Sequence, residues 1–279
     1  DDYLNDLLEE IEKHPVNQKI KLYLFSQNKI DCLSSNINSI EEEEITNMDL
    51  IVSVGGDGTM LQSSKIASYY EVPITGINKG RLCFLTDINP ELVCSVLSDI
   101  TDGKYQTESR MLLDIKIFND DNEKLIGHAI NDLVINKTKT GRMIKVRTLI
   151  DGIFVNTNEG DGYIVSTPTG STAYSLSCGG PIINPNADTF LLVPIAPHTL
   201  TNRPMVIASS SEITLEFEEQ NDELISISLD GEVISEISGS NYIKIQKSKD
   251  VVKFIHPEQY DYFETLRSKL FWGHDKRNA

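Results

Sequence analysis

Two short stretches limit what this chain can fold into: V-G-G-D-G-T at 54–59 and T-P-T-G-S-T-A-Y-S-L-S-C-G-G-P at 167–181. Small, turn-forming and hydroxyl residues bury little apolar area but leave backbone N–H groups open to a ligand. The first stretch follows Met48 to Val54, an apolar run rich in β-branched residues that reads as a buried parallel strand. Thr59 to Tyr70 behind it reads as a helix. A strand, a glycine turn and a helix aim free N–H groups and the positive helix end at one place, where phosphate is the natural guest. Two such loops in one chain point to a ligand that carries polyphosphate.

Asp57 stands among the glycines Gly55, Gly56 and Gly58, next to Thr59. A carboxylate there repels phosphate unless it handles a proton or a metal, so Asp57 is either a base or a turn residue bonded to its own backbone. In the second stretch Thr169, Ser171, Thr172 and Ser175 offer hydroxyls, and 171–177 reads as the start of a helix facing the ligand. The alternative is an ordinary capped helix entry, which leaves the close flanking by Gly170, Gly179 and Gly180 unexplained.

These residues resemble the NAD kinase (ATP-NAD kinase) family, marked by a G-G-D-G-T turn, here Gly55 to Thr59, an Asn-Glu pair, here Asn131-Asp132, and the T-P-T-G-S-T-A-Y loop, here Thr167 to Tyr174. Asp161-Gly162, Pro197-His198-Thr199-Leu200 and Arg203-Pro204 extend the resemblance in the family's order. The glycine turn also resembles those of diacylglycerol and sphingosine kinases and of phosphofructokinases; the second loop is specific. The chain departs from the family in four places. It opens on what reads as the helix after the family's first strand, Asp2 to His14, so an edge of the sheet is expected to be missing. Asp132 is one methylene shorter than Glu, Cys83 replaces a glycine, and Glu159 stands where relatives often carry a basic residue.

The resemblance implies phosphorylation of NAD by ATP at the adenosine ribose 2′-hydroxyl, with Asp57 as catalytic base and Mg2+ as the metal cofactor. It also implies NAD between two domains, with Asn131, Asp132 and Asp161 as polar contacts and Thr169, Thr172, Ala173, Tyr174 and Ser177 lining the loop. Tyr174 read alone is more commonly a core aromatic, and Asp161 can be a simple turn residue. Adjacent strand residues face opposite ways, so Asn131 and Asp132 reach one ligand together only at a bulge or strand end. The family further implies a homo-oligomer, a dimer or tetramer. Inorganic polyphosphate as donor and NADH as acceptor stay open.

Composition agrees. At 279 residues and 39% apolar content the chain can bury a sizeable core. A net charge of −17 argues against nucleic-acid and anionic-membrane partners. It also demands local cations for two polyanionic substrates, for which Lys79, Arg81 and Arg142 are the candidates. The cysteines at 32, 83, 94 and 178 show no C-x-x-C spacing and read as free thiols of a cytoplasmic protein. No apolar stretch approaches the roughly 18 residues of a membrane span, and no signal peptide opens the chain. The Asn136-Lys137-Thr138 sequon reads as chance. His198 reads as a structural histidine bridging loops rather than a metal ligand.

The pattern changes near Gly103. Before it, apolar runs at 19–25, 49–54 and 72–77 alternate with helices, the last opening at Asn89-Pro90-Glu91. After it come short strands at 112–118, 129–135, 213–217, 225–229 and 242–245, with turns at Asp151-Gly152 and Asp230-Gly231. The expected architecture is an α/β domain over 1–104, a β-rich NAD-binding domain over 105–256 and a C-terminal helix over 257–279 packing back on the first domain. Two other classes compete: a lipid or sugar kinase sharing the glycine turn, and a catalytically inactive dinucleotide-binding protein. The specific second loop disfavours the former. Neither G-x-G-x-x-G nor a Walker G-x-x-x-x-G-K-[ST] occurs, which disfavours a dehydrogenase and a P-loop kinase.

Overall fold

The computed structural model describes residues 2–25, 37–79, 83–119, 122–138, 143–218 and 224–270. The chain divides into two units, Asp1–Ser109 with Val252–Ala279, and Arg110–Val251, so the second is inserted into the first. Arg142, Arg81 and Cys32 lie outside the described residues.

The first unit opens with helix α1 (Asp2–Lys13), whose Leu7 and Ile11 are buried. Strand β1 (Tyr23–Leu24) pairs in parallel with β2 (Asn38–Ser39), so the expected strand over 19–25 is only two residues long. Strand β3 (Ile51–Gly55), helix α2 (Asp57–Tyr69) and strand β4 (Ile74–Asn78) follow, with β3 and β4 parallel and in register. The helix starts two residues earlier than the expected Thr59, which puts Asp57 in its first turn. Asn89 caps the next helical segment by accepting from the Glu91 N–H, with Pro90 fixing the entry, and helix α3 (Val93–Thr101) buries Val93, Cys94, Val96 and Leu97. Gly103 ends it at φ +78°, left-handed backbone suited to glycine.

Strand β5 (Tyr105–Asn119) carries the chain into the second unit, where it pairs with β6 (Asn122–Ala129). Strands β7 (Asp132–Lys137), β8 (Ile144–Ile150), β9 (Ile153–Gly160) and β10 (Gly162–Ser166) follow. After the one-turn helix α4 (Tyr174–Ser177) come β11 (Thr189–Ile195), β12 (Met205–Ala208), β13 (Ile213–Phe217), β14 (Ile225–Leu229) and β15 (Glu232–Ile237). One antiparallel sheet runs β12-β11-β10-β7-β14-β15, and β13 pairs β8, which pairs β9. Leu133, Ile135, Val165, Phe190, Ile213 and Leu215 fill the core between alternating strand faces. The Asp151-Gly152 and Asp230-Gly231 turns hold two consecutive positive φ values, the geometry that two-residue hairpins favour.

Strand β16 (Tyr242–Pro257) pairs with β13 in the second unit and then returns to the first, where Phe254 pairs in parallel with Ile74 of β4. Helix α5 (Tyr262–Leu270) closes the described chain, with Leu266 buried. Among the described residues no helix is long and apolar enough to cross a membrane.

Candidate active site

In the first unit, the glycines of the 55–59 turn differ in what requires them. A Cβ on Gly55 would lie 2.5 Å from Thr59 Oγ1 and 2.8 Å from Thr59 Cβ, so the threonine side chain itself excludes any other residue at 55. Gly56 would meet only Cys83 Sγ at 3.6 Å, an ordinary contact, and Gly58 would meet nothing within 4 Å. Neither has a positive φ. The fold therefore does not need glycine at 56 or 58, and the bare backbone there leaves room for a close-lying ligand. Gly56 is the N-cap of α2 and, as glycine, offers no side chain to cap it. The first-turn N–H groups thus receive no bond from their own N-cap residue, the arrangement that receives phosphate.

Asp57 does not turn back on its own helix. Its carboxylate accepts from Phe84 N (3.0 and 3.1 Å to the two oxygens) and from Leu85 N (2.9 Å to Oδ1). This is not the turn-residue alternative bonded to its own backbone: the acid in the glycine turn anchors the loop after β4. Two rigid donors fix the direction of the carboxylate while Oδ2, touched by one donor, keeps a free acceptor direction.

In the second unit, β7 begins at Asp132, and Ile130-Asn131 form a bend before it. The Asn131-Asp132 pair thus lies at a strand end, the geometry in which neighbouring residues escape strict alternation. Three bonds to Asp230 hold that end: its carboxylate accepts from Ile130 N (3.1 Å), Asn131 N (2.7 Å) and Asp132 N (3.2 Å). In sequence Asp230 reads only as half of an Asp-Gly turn, and its φ of 51° fits that turn; the clamp on a strand almost a hundred residues away has no local signal. Asp132 is 3% exposed. Burial first, and the charge of Asp230 second, push its carboxyl up to about 7.

The 167–181 loop is built onto that same strand end. Asn131 O accepts from Thr167 N (2.9 Å) and Ser166 Oγ (3.1 Å). A Cβ on Gly170 would lie 2.2 Å from Asn131 O, which explains this glycine by packing rather than by a ligand. Gly180 is likewise pressed against Ser175 O at 2.9 Å.

Most loop hydroxyls also serve the loop. Ser171 Oγ donates to Pro168 O (2.6 Å), Ser175 Oγ to Gly170 O (2.8 Å) and Thr172 Oγ1 to Thr169 O (3.3 Å). Buried Thr169 accepts from Arg110 Nη1 at 3.4 Å, a residue with no motif to mark it in sequence. The expected helix over 171–177 is a single turn at 174–177, because the hydroxyls bond backward to carbonyls and divert the chain. Thr172 and Ala173 are half-buried, while Ser177 and Tyr174, the latter 43% exposed, reach the surface. Tyr174 is thereby not a core aromatic.

Asp161, between β9 and β10, pairs with Lys137 at the end of β7. Gly162 beside it is demanded by Ile135 O, 2.3 Å from where a Cβ would be. The expected bridging role of His198 is not found: its side chain is exposed, and the loop is tied instead by its backbone N–H to Glu159 O at 2.9 Å. Lys79 is exposed and lies over the Tyr3 ring, 5.0 Å from its centroid.

The α/β unit thus carries a helix N-terminus with a fixed carboxylate, the kind of end that phosphotransferases use, and the β-rich unit by itself carries a polar strand end on which a rigid loop is built. The sequence matches the ATP-NAD kinase N-terminal domain over residues 3–105 and the ATP-NAD kinase C-terminal domain over residues 130–257. The chain belongs to the NAD kinase family. It is 44% identical over 225 residues to the NAD kinase of Photorhabdus laumondii, covering 81% of this chain and 77% of that one, and 41% identical over 225 residues to that of Cellvibrio japonicus, covering 81% and 75%. Among solved structures, yeast NADH kinase complexed with NADH superposes with a TM-score of 0.85 at 21% identity, over 100% of this chain and 85% of that one. An NAD kinase from Archaeoglobus fulgidus in complex with ATP gives 0.71 at 28% identity, over 95% and 94%. Matches to both domains leave the lipid- or sugar-kinase alternative without support.

Proposed function

We propose that the chain transfers the γ-phosphoryl group of ATP to the adenosine ribose 2′-hydroxyl of NAD, giving NADP. The observation that carries the mechanism is the Asp57 carboxylate, oriented by two backbone donors beside two glycines the fold does not require. Asp57 takes the hydroxyl proton as that oxygen attacks phosphorus, and the open N–H groups at the start of α2 receive phosphate oxygens. Asn131, Asp132 and Asp161 supply polar contacts to the dinucleotide, and Thr172, Ala173, Tyr174 and Ser177 line it.

Mg2+ completes this reading. Among the described residues no group of three or more His, Cys, Asp or Glu side chains is placed to hold a metal. Magnesium in phosphoryl transfer is typically bound by one or two carboxylates and the substrate's own phosphates, so the ion fits as a passenger of ATP, with Asp57 the carboxylate of the glycine turn that would hold it. When bound it neutralises charge on the transferring group. A cytoplasmic setting and a homo-oligomer, dimer or tetramer, belong to the same reading. Ile153 (72% exposed), Phe154 (52%) and Val155 bare an apolar strip on β9 that a second copy would cover.

The test is NADP formation from NAD, ATP and magnesium, followed by glucose-6-phosphate dehydrogenase. Turnover that stops with a chelator and returns with magnesium is expected; NAD binding without turnover would leave only a dinucleotide-binding protein. Gly58→Ala separates ligand from fold. Alanine in that open helical position is expected to raise stability by about 0.5–1 kcal/mol while raising KM for ATP, as read by thermal unfolding and initial rates. An unchanged KM would remove Gly58 from the phosphate site.

A further inference from the structure

We propose that buried His256, with Asp87 and Glu108, is a positioning cluster for the phosphoryl transfer, fixing the loop after β4 and through it the Asp57 carboxylate. His256 is 3% exposed and stacks on Tyr260, with ring centroids 4.0 Å apart and planes 9° apart. Its Nδ1 bonds Asp87 Oδ2, and its Nε2 lies 3.1 Å from Glu108 Oε2. The imidazole is thus held at both ring nitrogens, between two carboxyl side chains that are 11% and 12% exposed.

The cluster sits in one unit with Asp57 and acts on the same short loop. Asp87 is two residues beyond Leu85, whose N–H is spent on Asp57 Oδ1. The next residue, Ile88, is fixed by Ile88 N to Gly76 O (3.1 Å) and Asn78 N to Ile88 O (2.9 Å). The loop thus hangs between Asp57 at 84–85 and His256 at 87, with β4 holding its far end. Residues far apart in sequence, at 87, 108 and 256, converge on a loop that touches the base. A polar cluster so well buried is costly to assemble, and orienting a reacting group is a use that offsets the cost.

This role rests on the reading of Asp57 as base, and two readouts separate them. Hydrogen exchange at the Phe84 and Leu85 amides reports the loop directly, because both N–H groups are held by Asp57. Asp87→Ala and His256→Phe are expected to speed exchange at these amides about tenfold or more with β10 amides unchanged, and to lower kcat about 10- to 100-fold with KM for NAD within about twofold, since misplacement of a reacting group costs rate. Asp87→Asn keeps an oxygen to accept from Nδ1 and should recover most of the rate. If the alanine variant does not fold, His256→Phe and the milder Glu108→Gln are read in the same way. Unchanged exchange and kcat in these variants, beside an inactive Asp57→Asn, would overturn the cluster's role and leave the base. Faster exchange throughout both units would also overturn it, showing general loosening. Full turnover in Asp57→Asn together with localised exchange at 84–85 would remove the base and keep the clamp.

Discussion

Asp57→Asn is expected to lower kcat about 10³-fold, the scale of a lost general base, while the Kd for NAD changes by no more than about threefold. The structure explains why this substitution is informative. An asparagine Oδ1 placed where Asp57 Oδ1 lies still accepts from Phe84 N and Leu85 N, so the loop keeps its anchor. What disappears is the one acceptor that can take a proton. Asp57→Ala is a poorer test, because it frees two backbone donors and the loop with them. Single-turnover kinetics with isothermal titration of NAD measure both quantities, and an Asp57→Asn enzyme turning over near the native rate would remove Asp57 as the base.

Asp132→Asn is expected to stabilise the unliganded protein, and increasingly so as pH rises. The carboxyl sits near pH 7 in the fold against 3.8 in the unfolded chain. Below the lower value it is protonated in both states and costs nothing. Between the two values the unfolded chain ionises while the fold resists, so native stability falls with rising pH, and above about 7 the penalty is complete. That interval corresponds to an upper bound of about 4 kcal/mol. Asparagine never ionises, so its advantage in Tm should grow from pH 5 to pH 8, at the cost of a higher KM for NAD. A Tm difference that does not vary with pH would show that Asp132 carries no buried-charge penalty. A group that costs stability in this way is of the kind found where sites trade stability for chemistry.

How far the sequence could be read depended on how local each cause was. The strand-turn-helix around Gly55 was legible because β-branched residues, glycines and a helix-forming run follow one another, and only its first turn was misjudged. Strands 213–217 and 225–229 emerged at their expected limits, since alternation and turn residues bound them closely. The strand over 19–25 shrank to two residues because apolar content without a long partner does not make a ladder. The 167–181 loop stands out in the sequence by its glycines and hydroxyls, but no local rule shows that Ser171, Ser175 and Thr172 donate to carbonyls of the loop itself. Gly170 could not be assigned to Asn131 by any local rule. Nor could Asp230, Arg110 or the His256 cluster, whose partners lie 59 to 169 residues away and become neighbours only when the sheets form.

The insertion of one unit within the other has a consequence for how the protein is made. The first unit's sheet takes its third strand from β16, and the loop after β4 takes its last support from His256. A chain leaving the ribosome at about 5–20 residues per second can finish the inserted unit while the first still lacks both. The loop that holds Asp57 is therefore completed only once β16 has been made, and a nascent chain stopped short of that point has its 167–181 loop in place before the Asp57 carboxylate is set.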